Sequence, residues 1–589
     1  MRTSTRGESK RLTVAAPAPT VGLLVDCLED SYQWSVLRGA MDAAYDNGAH
    51  LLCFAGGVLE APQGQGGERN GVFDLAGPKS VDALIVMSGA IGNRIGPDRL
   101  RQFCERYRPL PMCSIAVELG DMSSVCIDNE SGMRVAIEHL IRAHDMKRIA
   151  FVRGPVANAE AERRFRVYKE ALESGGLPFD PDLVAVGDFE PTGGQKAVRT
   201  LLKERKLSVH DLDAIVAAND AMALGVIEEL ASMGVRVPDQ IAVTGFDDIE
   251  ESRFTIPPLT TVRQPLYEQG RDAVRIVLDQ LRNGAPPERV VRRTELVMRR
   301  SCGCLASHAA SSKGSVAPPV TLGVEAALVE RHQVILASMS RASRGELSAA
   351  GTGWAERLLN AFVEQVRGNA PEAFALAYDD LLRRLSGNEA DLSVCNDVLS
   401  ALRNRTLPCF VRDPPRAARA EDMIHEARVV TAEVMDRVQA WRRMRAEKRA
   451  RSLGRASAAI ASAHDLDELS RAVEEHLPPL GITRCYVVTF NGTSGDERLA
   501  RLAMVHAPRA PNARPAEPPS WQLQPVEEIL RKHILPGTGE HALAVLPTVF
   551  RGEELGILVL ELEAIDGYLY ETLRDVFTAA LAGARPSGT

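Results

Sequence analysis

Aromatic residues make up only 5% of this 589-residue chain, and no apolar run is long enough to span a bilayer, so membrane insertion through a helix is not expected. The first 19 residues contain no apolar core of signal-peptide length, which sets the expectation of a cytoplasmic protein. Basic charge is not in excess. A net charge of -8 with 25% charged residues argues against tight nucleic-acid binding by the surface as a whole. The ten cysteines (Cys27, Cys53, Cys104, Cys113, Cys126, Cys302, Cys304, Cys395, Cys409 and Cys485) are scattered, several inside apolar runs, as in buried thiols of a reducing compartment. Cys302 and Cys304 form a C-x-C pair with no neighbouring histidine or second cysteine pair in sequence, so no metal site is expected. No nucleophile–base pair or nucleotide motif stands out either, which points away from an enzyme and from any cofactor.

What is present begins with the length, which divides into about three or four domains. The most informative stretch, Asp213 to Asp248, reads D-A-I-V-A-A-N-D-A-M-A-L-G, a helical run, then V-P-D-Q-I-A-V-T-G-F-D-D. Asp213 to Ala218 suits a buried strand, Met222, Val226, Ile227 and Leu230 repeat at helical spacing, and Ile241 to Gly245 is a second strand. That is a βαβ unit and hence a parallel sheet. Ligands of open parallel sheets bind beyond the carboxyl ends of the strands, where Asn219, Asp220, Asp247 and Asp248 fall. Asp220 reads as a helix cap and Asp248 as a turn residue. Strand and helix alternate in the same way from Val21 through Val186, which predicts two parallel-sheet lobes with a cleft between them.

Six segments, H-L-I-R-A-H-D-M-K-R-I-A-F-V-R-G-P, E-R-R-F-R-V-Y-K-E-A-L, G-D-F-E-P, A-A-N-D-A-M-A-L-G, V-P-D-Q-I-A-V-T-G-F-D-D and P-P-L-T-T-V-R-Q-P, occur in the order and spacing of the LacI/GalR family. The resemblance covers residues 20–305. It implies an α/β, periplasmic-binding-protein-like domain of two lobes, about 20–143 with 266–290 and about 144–262 with 291–302. It also implies a sugar- or nucleoside-like small-molecule effector and a role in transcription regulation. Carried over by motif, the implied ligand contacts are Arg164, Asn219, Asp247, Gln264, Phe189 and Tyr32. A guanidinium fork at Arg164 suits two adjacent ligand oxygens, and the aromatic side chains suit a ring. The family's helix-turn-helix and hinge, roughly 60 residues, precede the sensor domain. Here the first strand starts near residue 20 after a flexible tail (1–19), so direct DNA reading by that route is not expected.

The second half lies outside the resemblance. Residues 306–322 have linker composition, 323–412 show helical periodicity, and 418–455 form a basic, heptad-like signalling helix suited to a homodimer. Its end, W-R-R-M-R-A-E-K-R-A-R, offers a DNA contact as an alternative to a solvated face. His425 and Glu426 superficially resemble the phospho-accepting dipeptide of sensor histidine kinases, but no nucleotide-binding domain follows, and His425 reads as an ordinary helix residue. From 456 to 586 the chain resembles a GAF domain, with antiparallel strands at Tyr486–Phe490, Leu543–Val549 and Gly556–Leu562 and a hairpin turn at Arg551 and Gly552. The N-K-x-F-D-E pattern of cyclic-nucleotide-binding members is absent, and Cys485 lies inside a strand. The resulting expectation is a sensor whose lobes pass ligand binding through helices to the GAF-like end. A solute-binding protein for uptake and a sensor subunit with its output on a partner are the alternatives.

Overall fold

The apolar run near the start of the described residues forms β1 (Thr20–Val25), every residue of which is buried, as in a strand covered on both faces. The computed structural model describes residues 18–304 apart from 63 and 65, and 323–583 apart from 344–346, 348–349, 387–391, 495–496, 508–521, 536–541 and 564–565. Residues 1–17 of the expected tail and the expected linker at 306–322 lie outside the described residues. The chain divides into two compact units, Met1–Val297 with Ser452–Thr589, and Met298–Arg451.

In the first unit β1 is followed by α1 (Ser31–Asp46), β2 (His50–Ala55), β3 (Ala83–Val86), α2 (Ser88–Ile91), α3 (Gly96–Glu105), β4 (Met112–Ile115) and β5 (Ser123–Ile127). α4 (Asn129–His144) then leads to β6 (Ile149–Arg153), α5 (Ala159–Ser174), β7 (Val184–Val186), α6 (Pro191–Arg199), β8 (Ala214–Ala217), α7 (Asp220–Ser232) and β9 (Ala242–Thr244). β10 (Thr261–Arg263), α8 (Leu266–Asn283), β11 (Arg289–Arg292) and β12 (Glu295–Val297) complete this half. Lobe 1 is the parallel sheet β11-β5-β4-β3-β1-β2, and lobe 2 the parallel sheet β7-β6-β8-β9. β10 and β12 pair antiparallel. α8 returns to lobe 1 and lies directly on α1: a Cβ added at Gly39 would stand 1.9 Å from the Tyr267 carbonyl oxygen, and one at Gly270 2.0 Å from that of Val36. Glycine at both positions lets the two backbones touch.

The second unit, taken by itself, contains α9 (Val324–Ala342), α10 (Trp354–Arg367), α11 (Ala373–Ser386), α12 (Val394–Thr406) and most of α13 (Pro414–Ala461). Its core joins Phe362, Phe374 and Tyr378 to Met423, Ile424 and Ala427 of α13. The Tyr378 hydroxyl and Thr431 Oγ1 lie 2.6 Å apart inside it. Farther along α13 the side chains leave the core, and Trp441 and Met444 are 51% and 59% exposed. Among the described residues no helix is long and apolar enough to cross a membrane.

The chain after α13 rejoins the first unit. α14 (Leu466–His476), β13 (Cys485–Ser494), β14 (Glu497–His506), β15 (Gln524–Pro525), α15 (Val526–Ile529), β16 (Ala542–Phe550), β17 (Glu553–Glu561) and α16 (Gly567–Gly583) form an antiparallel sheet flanked by helices. The β16–β17 hairpin turns at Arg551 (φ 52°) and Gly552 (φ 81°), two left-handed residues as a primed turn requires. This sheet is not separate from lobe 1. β16 runs parallel to β2, with Ala542, Leu543, Ala544 and Val545 opposite Leu51, Leu52, Cys53 and Phe54, which makes one sheet of 11 strands. The expectation of a terminal module reached only through helices left this pairing out.

Candidate functional site

The cleft is built where helices begin at the carboxyl ends of parallel strands. Asp30, Asp128, Asn158 and Asn219 cap α1, α4, α5 and α7, each accepting a hydrogen bond from the first turn through its side chain. Polar groups are thereby gathered at one rim of both sheets, where the side chains singled out from sequence are found.

Arg164, on α5, is 2% exposed. Its Nε donates to Asn129 Oδ1 (2.7 Å) and its Nη1 to the Ala218 carbonyl (2.7 Å). Glu160 and Asp247 stand 3.7 and 3.8 Å from the guanidinium, and the Phe246 ring lies under it with its centroid 3.8 Å away. Asp247 accepts a 2.5 Å bond from Gln264 Nε2, so Arg164, Asp247 and Gln264 form one buried chain. Burial pushes the Asp247 carboxyl well above the usual range; Arg164 opposes this, Asp220 and Glu160 add to it, and the Gln264 bond works against it. Asn219 caps α7 through Oδ1 (3.0 Å to the Met222 amide) and donates through Nδ2 to the Phe189 carbonyl (2.9 Å). The Phe189 ring covers Gly154 closely enough that a Cβ there would meet it at 2.4 Å. Tyr32, from lobe 1, is half-buried. Its hydroxyl is held strongly protonated by burial and then by the carboxylates of Glu160 and Asp247, against the pull of Arg164.

Non-glycine residues at this rim with positive φ include Phe189 (73°), Asp247 (131°) and Asp248 (59°). Such conformations cost free energy and persist where surrounding contacts fix them. The Asp248 side chain is 1% exposed and accepts from Arg263 Nε at 2.6 Å. Asp220 does not fit its reading as a cap. Asn219 is the cap, whereas Asp220 is 0% exposed, with Oδ1 accepting from Thr261 Oγ1 (2.5 Å) and Oδ2 from the Ile249 amide (3.1 Å). It ties α7 to the crossover. Asn129, Glu160 and Phe246 were not singled out from sequence. Each carried a signal: Asn129 follows a strand and opens a helix, Glu160 lies four residues before Arg164 on one helix face, and Phe246 adjoins Asp247.

The mouth of the cleft is acidic. Asp26, Glu29 and Asp30 come from the loop after β1, and Asp188 and Glu190 from lobe 2. Desolvation, then Asp30, Asp26, Asp188 and Glu29, push Glu190 up to about 7. Desolvation raises Asp26 to about 6, opposed by Arg69 and assisted by Asp30 and Glu571. Both folded-state values lie above the ordinary ones. The stability these groups contribute is therefore full below about pH 4 and lost as pH rises through about 6 to 7. Thermal unfolding at fixed ionic strength should show a midpoint that falls between about pH 5 and pH 8. The Asp26→Asn, Glu190→Gln double variant should lose most of that slope. Equal slopes in both proteins would contradict this electrostatic picture.

The periplasmic binding protein-like domain family matches residues 137–302. The PurR transcriptional repressors of Yersinia pestis (strain Pestoides F) and Yersinia pseudotuberculosis (strain IP 31758) are each 30% identical over 288 residues, covering 48% of this chain and 79% of the repressor. Among solved structures, a complex of the transcriptional regulator CelR with cellobiose is 30% identical and covers 49% of this chain and 86% of its own (TM-score 0.42). The Escherichia coli transcriptional repressor ascG is 27% identical, covering 49% and 100% (TM-score 0.39). With 30% identity across 79% of a repressor's length, the chain belongs, through its periplasmic-binding-protein-like half, to the LacI family of transcriptional regulators.

Proposed function

We propose that the chain is a cytoplasmic, small-molecule-sensing regulator of transcription. Its effector is a neutral or cationic polyhydroxylated or ring compound held between the lobes by Arg164, Asn219, Asp247, Gln264, Phe189 and Tyr32. The observation that carries this reading is the buried Arg164, whose partners Asn129, Glu160, Ala218 and Asp247 converge from four separate segments of the chain. A guanidinium so fixed presents donors in a set direction, while Asp247 and Glu160 supply acceptors for hydroxyl or amine groups. At the mouth Asp26, Glu29, Asp30, Asp188 and Glu190 outnumber Arg69, so anionic effectors are disfavoured.

The domain division expected from sequence belongs to this proposal: a sensor over 20–305, a helical region over 323–412, a signalling helix over 418–455 and a GAF-like module over 456–586. The antiparallel order β16-β17-β13-β14-β15 with flanking helices supports the GAF-like assignment. The exposed stretch of α13 around Trp441 and Met444 supports a homodimer contact between two copies of that helix. Arg445 stacks over the Trp441 ring at 4.6 Å, which leaves a basic, aromatic face open to DNA or an acidic partner. Ligand shifts the lobes only by its difference in affinity for their two arrangements.

A thermal-shift screen of the full chain against sugars, nucleosides and sugar phosphates tests the reading. At about one hundred times its dissociation constant a true effector stabilises by about 2.7 kcal/mol. Such a shift is expected from an uncharged or amino sugar or a nucleoside, and a smaller one from the phosphorylated counterpart. Stabilisation by the phosphates alone would overturn the proposed polarity of the site.

A further inference from the structure

The segment Asp26–Ser31, the loop after β1 together with the first residue of α1, is held at two points. At its far end it belongs to the cleft: Asp30 accepts from the Tyr32 amide at 3.0 Å and from Gln33 Nε2 at 3.0 Å, and Ser31 Oγ donates to Glu251 Oε1 of lobe 2 at 2.5 Å. At its near end it belongs to the C-terminal module. The Leu28 amide donates to Glu571 Oε1 at 2.9 Å, in a buried bond that joins residues 543 positions apart. Glu571, on α16, is 5% exposed. Its Oε2 also pairs with Arg69 Nη1 at 3.4 Å and with Arg574.

The surrounding packing is equally close. A Cβ added at Gly567 would stand 1.5 Å from the Leu28 carbonyl oxygen, so the first turn of α16 rests on the loop backbone. The Trp34 and Tyr570 rings lie 6.0 Å apart between centroids, which joins α1 to α16. Beneath them the β2–β16 pairing makes the two sheets one. Only three residues separate Leu28, on Glu571, from Tyr32, in the cleft.

We propose that the C-terminal module is a wall of the effector-binding lobe, and that Glu571 is a positioning residue for the effector loop. Through the Leu28 amide it fixes where Tyr32 stands, so effector and module are coupled by direct contact rather than only through the long helix. This rests on the reading of the cleft as the effector site. A coupling of this kind is reciprocal: what Glu571 does to Tyr32, Tyr32 does to α16.

Hydrogen exchange on the full-length chain, without ligand, tests it. In Glu571→Ala the amides of Leu28–Gln33 should exchange about tenfold faster, as expected when a buried charge-assisted bond is lost, while β6 and β8 of lobe 2 stay at wild-type rates. Glu571→Gln keeps an acceptor for the Leu28 amide and should recover most of the protection. From the other side, Tyr32→Ala, at a half-buried position, should speed exchange in residues 567–571, and this arm decides the matter should the Glu571 variants not fold. With D-ribose and cellobiose as probe ligands, whichever binds the wild type should bind Glu571→Ala about tenfold more weakly. If neither sugar binds, that result falls on the choice of effector, and the exchange data still decide the coupling. Loop exchange within twofold of wild type in Glu571→Ala, unchanged exchange at 567–571 in Tyr32→Ala, or uniform acceleration across the chain would each overturn the proposal.

Discussion

Replacing Arg164 by alanine is expected to destabilise the first unit by about 3–5 kcal/mol, the range found when one partner of a buried ion pair is removed. The loss has identifiable parts. Asn129 Oδ1 and the Ala218 carbonyl each lose a 2.7 Å donor, and Phe246 loses the cation over its ring. The carboxylates of Glu160 and Asp247 lose an arginine that stands within 4 Å of both. Asp247 can escape part of the penalty by taking up a proton, because burial already favours its neutral form. The defect should therefore be larger at about pH 8 than at about pH 5, and denaturant unfolding at the two values measures it. A loss under about 1 kcal/mol at both would mean that the guanidinium is a surface-like group, against its 2% exposure.

The second large effect concerns the sheet. A chain ending at Ala461 lacks β16 and α16, which bares β2 along the edge now paired with Ala542–Val545. Leu51, Leu52, Cys53 and Phe54 are all 0% exposed in the whole protein. An unpaired, uncharged, apolar edge strand is a template for pairing with another chain. The truncated protein is expected to elute as soluble aggregate or to precipitate, whereas the whole chain elutes as a defined species. A soluble truncation with an unchanged unfolding midpoint would show that the β2–β16 ladder contributes nothing. The same reasoning bears on any excised piece spanning 20–305. Binding experiments belong on the full chain.

What the sequence made legible and what it hid follow from the range of each interaction. Strands such as Ile149–Arg153 and helices such as Ala159–Ser174 are written in local periodicity. Arg164, Asp247 and Gln264 were marked by motif, and they stand in one hydrogen-bonded and ion-paired chain. Asp220 was misassigned because capping is a local rule, and its true partners, Thr261 and Ile249, come from a distant crossover. The β2–β16 pairing left only a faint trace. L-L-C-F and A-L-A-V-L are apolar on both faces, as strands inside a sheet are, but nothing local says which strand lies beside which. Glu571 left none, since a carboxylate on a terminal helix reads as solvated until the Leu28 amide is found on it.

The central claim is that an effector is held by the Arg164 fork. Calorimetric titration of the best stabilising compound into the wild type and into Arg164→Lys tests it, since lysine keeps the buried charge while losing the planar pair of donors. Affinity weaker by about a hundredfold, in a protein that unfolds within a few degrees of wild type, is the predicted result, equal to about 2.7 kcal/mol of binding free energy. Equal affinity in the two proteins would place the effector elsewhere and contradict the account.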